Sequence, residues 1–188
     1  MNRPPAYRAP WWLPGGHLQT IFPVARKAPL PAYRRARWDT PDGDFIDVDS
    51  ATHAARPDAP LLVLFHGLEG SSASQYAVAF ADFAASQGLA YAVPHFRGCS
   101  GELNRAPRAY HSGDFEEIHW ILSRFKAEQP ERPLLAVGVS LGGNALLRWA
   151  GESGDAAAGV VKAVAAVCSP LDLAAGGHAI GRGLNRQI

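Results

Sequence analysis

From residue 61 onward, short apolar runs alternate with segments whose apolar residues recur at helical spacing. Four such runs predict buried strands, at residues 61–65, 89–93, 134–139 and 160–168. The segments between them predict helices at residues 77–87, 114–128 and 144–152. Strands that alternate with helices form right-handed βαβ units around a parallel sheet. The sequence therefore predicts an α/β fold in which helices cover both faces of a parallel sheet.

The first 60 residues follow a different pattern. Prolines recur through this segment, at Pro4, Pro5, Pro10, Pro14, Pro23, Pro29 and Pro31. Because proline fixes φ and lacks an N–H donor, residues 1–34 predict an arm that wraps the surface without regular structure. The arm is expected to bury its large apolar side chains against the domain, namely Trp11, Trp12, Leu13, Ile21 and Phe22. Turn residues 41–43 between alternating segments predict a β-hairpin within residues 35–60, and residues 61–188 are assigned to the α/β core.

Charge and cysteine content exclude several classes of protein. The formal net charge is +1, which argues against a nucleic-acid partner. Residues 1–40 contain seven basic side chains and one acidic one, which predicts a solvated arm or, as the weaker alternative, association with a membrane surface. The two cysteines form no disulfide framework and lack metal-ligand spacing. No apolar run is long enough to span a bilayer and a secretory signal is not expected, so the sequence predicts a cytoplasmic protein. A metal site is not expected either, because the ligand spacing is missing.

The motif that carries chemistry is Gly138-Val139-Ser140-Leu141-Gly142, which fits G-x-S-x-G. An apolar strand runs into this motif and a helix leaves it, as a nucleophile elbow requires. Its glycines permit a tight turn that places the serine hydroxyl at a helix N-terminus. Ser140 is therefore the predicted catalytic nucleophile, and the alternative is a serine in an ordinary glycine-rich turn.

A second loop, His66-Gly67-Leu68-Glu69-Gly70, follows the first core strand. In this architecture an oxyanion hole takes one backbone N–H from that loop and one from the residue after the nucleophile, which predicts Leu68 and Leu141. His66 and Gly67 are predicted to belong to the binding site. For His66 the residues indicate a structural role that orients the loop, with direct catalysis as the alternative.

The loop after the second core strand, residues 96–108, contains a further candidate binding residue, Arg97. A loop at the carboxyl end of a parallel strand is a common place for a ligand. Arg97 therefore predicts a binding wall for an acyl or polar group, and the alternative is a salt-bridged loop that supports the site. The phosphate-binding patterns G-x-G-x-x-G and G-x-x-x-x-G-K-[ST] do not occur, so no cofactor is expected.

Several separated strings occur in the order found in one family. They are residues 12–21, the 66–70 loop, residues 96–105, residues 110–113 and the elbow with Asn144. Over nearly its whole length, the sequence resembles the YheT-like (EMB8-like) family of α/β-hydrolases. This resemblance implies a serine esterase or lipase that acts on small-molecule or lipid-like acyl esters through a Ser–Asp–His triad, with Ser140 as nucleophile.

The acid and the histidine of that triad follow the nucleophile in α/β-hydrolases. The sequence ends shortly after the fourth predicted strand, so we expect the N-terminal portion of such an enzyme, its sheet truncated there, with a cap-like segment starting near residue 170. Asp172 and His178 do follow Ser140, and the weaker alternative is that this pair completes the triad. Asp172 is instead expected to cap a helix and His178 to lie in a loop. The alternative function is a truncated or pseudo-enzyme fragment that lacks the triad partners and does not turn over.

Overall fold

The computed structural model describes residues 6–25 and 29–182 of the chain. Six strands lie within these ranges: β1 (Tyr33–Asp39), β2 (Phe45–Ala51), β3 (Leu61–Phe65), β4 (Ala90–Pro94), β5 (Leu134–Val139) and β6 (Ala163–Val167). They form one sheet in the order β1-β2-β4-β3-β5-β6. Strands β4, β3, β5 and β6 are parallel, whereas β2 is antiparallel to both β1 and β4. The predicted α/β fold around a parallel sheet is confirmed, and two antiparallel strands extend one edge.

Helices cover both faces of this sheet. They are α1 (Gly15–Ala25), α2 (Gln75–Gln87), α3 (Phe115–Glu128), α4 (Leu141–Ser153), α5 (Ala157–Val160) and α6 (Leu173–Ile180), with a 3₁₀ turn at Gly154–Ala156. Side chains alternate along β3, so Val63 and Phe65 join the core under α3 and α4, while Leu62 and Leu64 join the core under α2. None of the described helices is long and apolar enough to cross a membrane.

Two cross-strand ion pairs hold the hairpin of β1 and β2 together. Arg35 lies opposite Asp49, and Arg37 lies opposite Asp47. Each guanidinium donates two hydrogen bonds of 2.7–2.9 Å to its carboxylate. Burial alone would raise the pKa of both buried carboxyl groups, but side-chain hydrogen bonds, of which the arginine's is the largest in each case, outweigh burial and hold each pKa below its ordinary value. Part of the basic charge in residues 1–40 therefore stabilises the sheet.

The N-terminal arm corrects two expectations. The prediction that the arm has no regular structure was wrong, because Gly15–Ala25 forms helix α1. Pro14 precedes this helix and Pro23 lies in its last turn, so the residues between them keep their N–H donors for helical hydrogen bonds. The predicted burial of Trp11 against the domain was also wrong, because this side chain is 91% exposed. Trp12 instead packs edge-on against Phe22 within the arm, with ring centroids 5.0 Å apart.

Candidate active site

Ser140 lies in the sharp turn between β5 and α4. Its backbone has φ 52° and ψ −117°, a conformation that costs a residue with a side chain about 1–3 kcal/mol. The Ser140 N–H donates to the carbonyl of Val167 in the neighbouring strand β6 at 2.8 Å, which anchors the turn to the sheet. Helix α4 starts at Leu141, whose N–H is among the first of the helix and has no intrahelical acceptor. This is the geometry expected of a nucleophile elbow.

The glycines of the motif are required by close packing behind the turn. A Cβ at Gly138 would overlap the carbonyl of Gly142, and a Cβ at Gly142 would overlap the backbone oxygens of Phe65 and His66. The first turn of α4 therefore rests directly on the end of β3. A Cβ at Gly67 would lie 3.3 Å from the Cβ of Ser140, so the loop after β3 is in contact with the candidate nucleophile.

Three of the four N–H groups in the loop Gly67–Gly70 have acceptors in the structure. The N–H of Gly67 donates to the Tyr76 hydroxyl at 2.9 Å, and the N–H of Glu69 donates to the Tyr110 hydroxyl at 2.8 Å. The N–H of Gly70 donates to the Gly67 carbonyl at 3.0 Å. Among the described residues, the N–H of Leu68 has no acceptor. An unpaired N–H in a loop against Ser140 is what a developing oxyanion requires.

His66 fixes the direction of this N–H without touching solvent. Its Nδ1–H donates to the carbonyl of Gly67 at 2.8 Å, and its Nε2 accepts the N–H of Phe96 at 3.0 Å. The Gly67 carbonyl and the Leu68 N–H belong to one planar peptide unit, so holding the oxygen aims the N–H in the opposite direction. Burial lowers the pKa of His66 to about 4, which keeps the ring neutral near pH 7. The geometry supports the structural role predicted for His66.

Arg97 is surrounded by carboxylates. Its Nε donates to Glu117 at 2.9 Å, and its Nη1 donates to Asp42 and Asp44 at 2.9 Å each. Burial would lower the pKa of Arg97, but these carboxylates outweigh it and raise that pKa. The side chain is 3% exposed. This environment supports the second role predicted for Arg97, a salt-bridged support, and its role as a binding wall stays a prediction.

The structure brings no histidine to the candidate nucleophile. None of the described histidines hydrogen-bonds to Ser140. The Asp172 carboxylate caps α6 by accepting the N–H of Ala175 at 2.9 Å, and His178 contacts the carbonyl of Ala174. The expected helix-capping role of Asp172 is confirmed, whereas His178 lies in α6 and not in a loop. Within the described ranges, no group of three or more His, Cys, Asp or Glu side chains is placed to hold a metal ion.

Sequence reasoning missed two residues of the loop's surroundings, Tyr76 and Tyr110. Tyr110 contacts Glu69 across 41 residues of sequence, and no spacing rule links positions so far apart. Tyr76 is closer in sequence to the loop, but the predicted helix began only at residue 77, whereas the structure places Tyr76 in the first turn of α2. The only available signal for Tyr110 was its place in one of the strings shared with the family.

A strained serine between a parallel strand and a helix, beside a loop in which the described contacts leave one N–H unpaired, is the arrangement typical of the α/β-hydrolase class. The sequence matches the alpha/beta hydrolase fold family over residues 60–185, and the chain belongs to that family. It is similar to YheT, a proposed esterase of Escherichia coli, with 40% identity over 173 residues. This match covers 90% of the chain and 50% of YheT, and it confirms the resemblance stated from the motifs.

Two further comparisons agree with this assignment. The chain is 32% identical to the phospholipase ABHD3 of Bos taurus over 143 residues, which is 72% of this chain and 35% of that protein. The fold is similar to the esterase Pf2001 of Pyrococcus furiosus, with a TM-score of 0.60 and 18% identity over 76% of this chain and 53% of that one. The second likeness shows the fold alone. The chain spans half the length or less of these curated relatives.

Proposed function

We propose that this chain supplies the nucleophile and the oxyanion hole of a serine hydrolase that cleaves carboxylic esters through an acyl-serine intermediate. The observation that carries the proposal is the contact between the strained Ser140 turn and a loop whose one free N–H, among the described residues, belongs to Leu68. The second donor is the N–H of Leu141 at the start of α4. Relatives named as an esterase or a phospholipase support an ester substrate of small-molecule or lipid-like character.

In the proposed reaction, the Ser140 Oγ attacks the ester carbonyl carbon while its proton passes to a base. The carbonyl oxygen becomes negatively charged and accepts hydrogen bonds from the N–H groups of Leu68 and Leu141. The tetrahedral intermediate then expels the alcohol, which takes up the proton, and leaves an acyl-serine. Water attacks the acyl-serine and releases the acid. The two N–H donors are held before the reaction starts, so little reorganisation is needed as charge develops.

The proposal requires a histidine base that the described contacts do not provide. A Ser140 hydroxyl without a base reacts slowly, because a serine is a weak nucleophile at its ordinary pKa. The alternative is a fragment that has the oxyanion hole and the nucleophile but no turnover. The two possibilities differ in whether Ser140 is activated, which can be measured directly.

The test is labelling with a fluorophosphonate, which modifies activated serines. The probe is applied to the 188-residue chain and, in parallel, to the native gene product. We expect labelling of Ser140 in whichever sample contains the base, and loss of labelling in Ser140→Ala. The matched control is Ser86→Ala, which removes an exposed serine of α2 and leaves labelling intact. Labelling of neither folded sample would reject the esterase and leave the fragment without turnover.

A second candidate role is association of the arm with an anionic lipid surface. The described part of the arm exposes large apolar side chains, with Trp11 91% and Tyr7 76% exposed beside the basic Arg8. Aromatic and basic side chains together favour the interface of a bilayer with anionic lipids. Salt-sensitive binding to vesicles of phosphatidylcholine and phosphatidylserine is expected to weaken in Trp11→Ala and to persist in Leu103→Ala, which removes a comparably exposed side chain elsewhere. Absence of binding by the unmodified chain would reject this role.

A further inference from the structure

The oxyanion loop is held at three successive peptide units by three separate parts of the chain. The Tyr76 hydroxyl, from the first turn of α2, accepts the N–H of Gly67. His66 donates to the carbonyl of Gly67, in the peptide unit that carries the Leu68 N–H. The Tyr110 hydroxyl accepts the N–H of Glu69 in the next unit. The free N–H therefore lies between two peptide units whose own N–H groups are fixed by tyrosines.

Tyr110 makes a second bond to the same residue. Its hydroxyl also donates to the Glu69 carboxylate, with an oxygen–oxygen distance of 2.8 Å. Burial raises the pKa of Tyr110, so the hydroxyl keeps the proton that this bond needs. One hydroxyl thus accepts from the backbone and donates to the side chain of Glu69.

Glu69 needs such support, because its backbone has φ 52°. A residue with a side chain pays about 1–2 kcal/mol for the left-handed region, and it stays there only when its surroundings hold it. The Tyr110 ring is itself fixed, since it stacks on Phe96 with ring centroids 5.2 Å apart and an interplanar angle of 4°. The Phe96 N–H in turn donates to His66. Tyr110 and His66 therefore brace the loop through one shared neighbour.

We propose that Tyr110 is a positioning residue for the oxyanion hole, which holds Glu69 in its left-handed conformation and thereby aims the N–H of Leu68 at the reacting carbonyl. Tyr76 holds the preceding peptide unit by accepting the N–H of Gly67. This inference rests on the proposed function for its consequence in catalysis, whereas the bracing of the loop can be measured without any reaction.

The test compares Tyr110→Phe with Tyr91→Phe in the same samples used for labelling. Tyr110→Phe keeps the ring on Phe96 and removes both hydrogen bonds to Glu69. Tyr91→Phe is the matched control, because it removes a buried hydroxyl that donates to the Ala77 carbonyl and not to a residue of the loop. The first readout is the fluorophosphonate labelling rate as a function of probe concentration. The second is the amide NMR signals of Leu68 and Glu69, with the hydrogen-exchange rate of the Glu69 N–H.

In Tyr110→Phe, we expect the maximal labelling rate to fall roughly tenfold at an unchanged half-saturating probe concentration. This is less than the ~10²–10³-fold effect of losing an oxyanion donor outright, because the Leu68 N–H remains present. The Glu69 N–H is expected to exchange about fivefold faster, the effect of losing a hydrogen bond of ordinary strength. Tyr91→Phe is expected to change neither quantity, although it lowers the stability of the fold.

Two results would overturn the inference. One is an unchanged maximal labelling rate in Tyr110→Phe, and the other is an unchanged exchange rate and amide spectrum for the loop. If the unmodified protein is not labelled at all, the esterase proposal fails, and the amide measurements alone decide whether Tyr110 braces the loop. Should Tyr110→Phe not fold, Tyr76→Phe applies the same test to the peptide unit of the Gly67 N–H.

Discussion

Replacing His66 with glutamine is expected to make the stability of the fold less sensitive to acid. Burial lowers the pKa of folded His66 from the ordinary 6.5 to about 4. The unfolded chain therefore binds the extra proton near pH 6.5, and the folded chain binds it only near pH 4. Because the unfolded state holds more protons within this window, stability falls as the pH falls through it and levels off below it. At about 1.4 kcal/mol per pKa unit, the loss amounts to about 3 kcal/mol.

Glutamine is a suitable replacement because its amide can donate to the Gly67 carbonyl and accept the Phe96 N–H without a titratable group. Urea unfolding is measured at several pH values between 6.5 and 4 for both proteins. Buried aspartates contribute equally to both, so the difference between the two curves isolates His66. His53→Gln is the control, because it retains His66 and so retains the acid sensitivity. Equal pH dependence in the unmodified chain and in His66→Gln would refute the reasoning.

Three other substitutions test the packing of the site by urea unfolding. Gly142→Ala is expected to lower the free energy of unfolding by about 1–3 kcal/mol, because the new Cβ overlaps backbone oxygens. Its control is Gly151→Ala, in open space on the same helix, which is expected to leave that free energy unchanged or to raise it by up to about 1 kcal/mol. Arg97→Met leaves buried carboxylates unpaired and is expected to lower the free energy of unfolding by about 3–5 kcal/mol. The control Arg148→Met breaks an exposed ion pair and is expected to lower it by at most about 0.5 kcal/mol. Ser140→Gly relieves a positive φ and is expected to stabilise the fold by about 1 kcal/mol while abolishing labelling, and a loss of stability would contradict backbone strain there.

Patterns within one element predicted most of the fold. Strand β5 was predicted at its observed bounds, because a buried parallel strand is apolar at every position. Helix α1 was missed, since the number of prolines in the arm concealed the stretch between Pro14 and Pro23 where none interrupts a helix. Whether a helix can form in this arm is indicated by the spacing between its prolines and not by their number.

The candidate site was predictable where its chemistry is local. The elbow motif placed Ser140 in a turn between strand and helix, where the structure has it. The surroundings of Arg97 could not be predicted, because its carboxylates come from the hairpin turn and from α3, and pairing between distant segments leaves no periodic trace in the sequence. The same holds for Tyr110, which contacts Glu69 across 41 residues of sequence.

The two proposed oxyanion donors lie where two different strands lead into their helices, and the pairing of Phe65 in β3 with Gly138 in β5 places these two junctions side by side. A slip of that pairing by one residue would turn every side chain of β3 to the opposite face, and a slip by two would move the loop by about 6–7 Å. Neither unit can therefore supply both oxyanion donors on its own. A probe that labels Ser140 therefore also reports whether two strands that are distant in sequence are paired in the correct register, so reactivity is expected to appear only after β3 and β5 have paired.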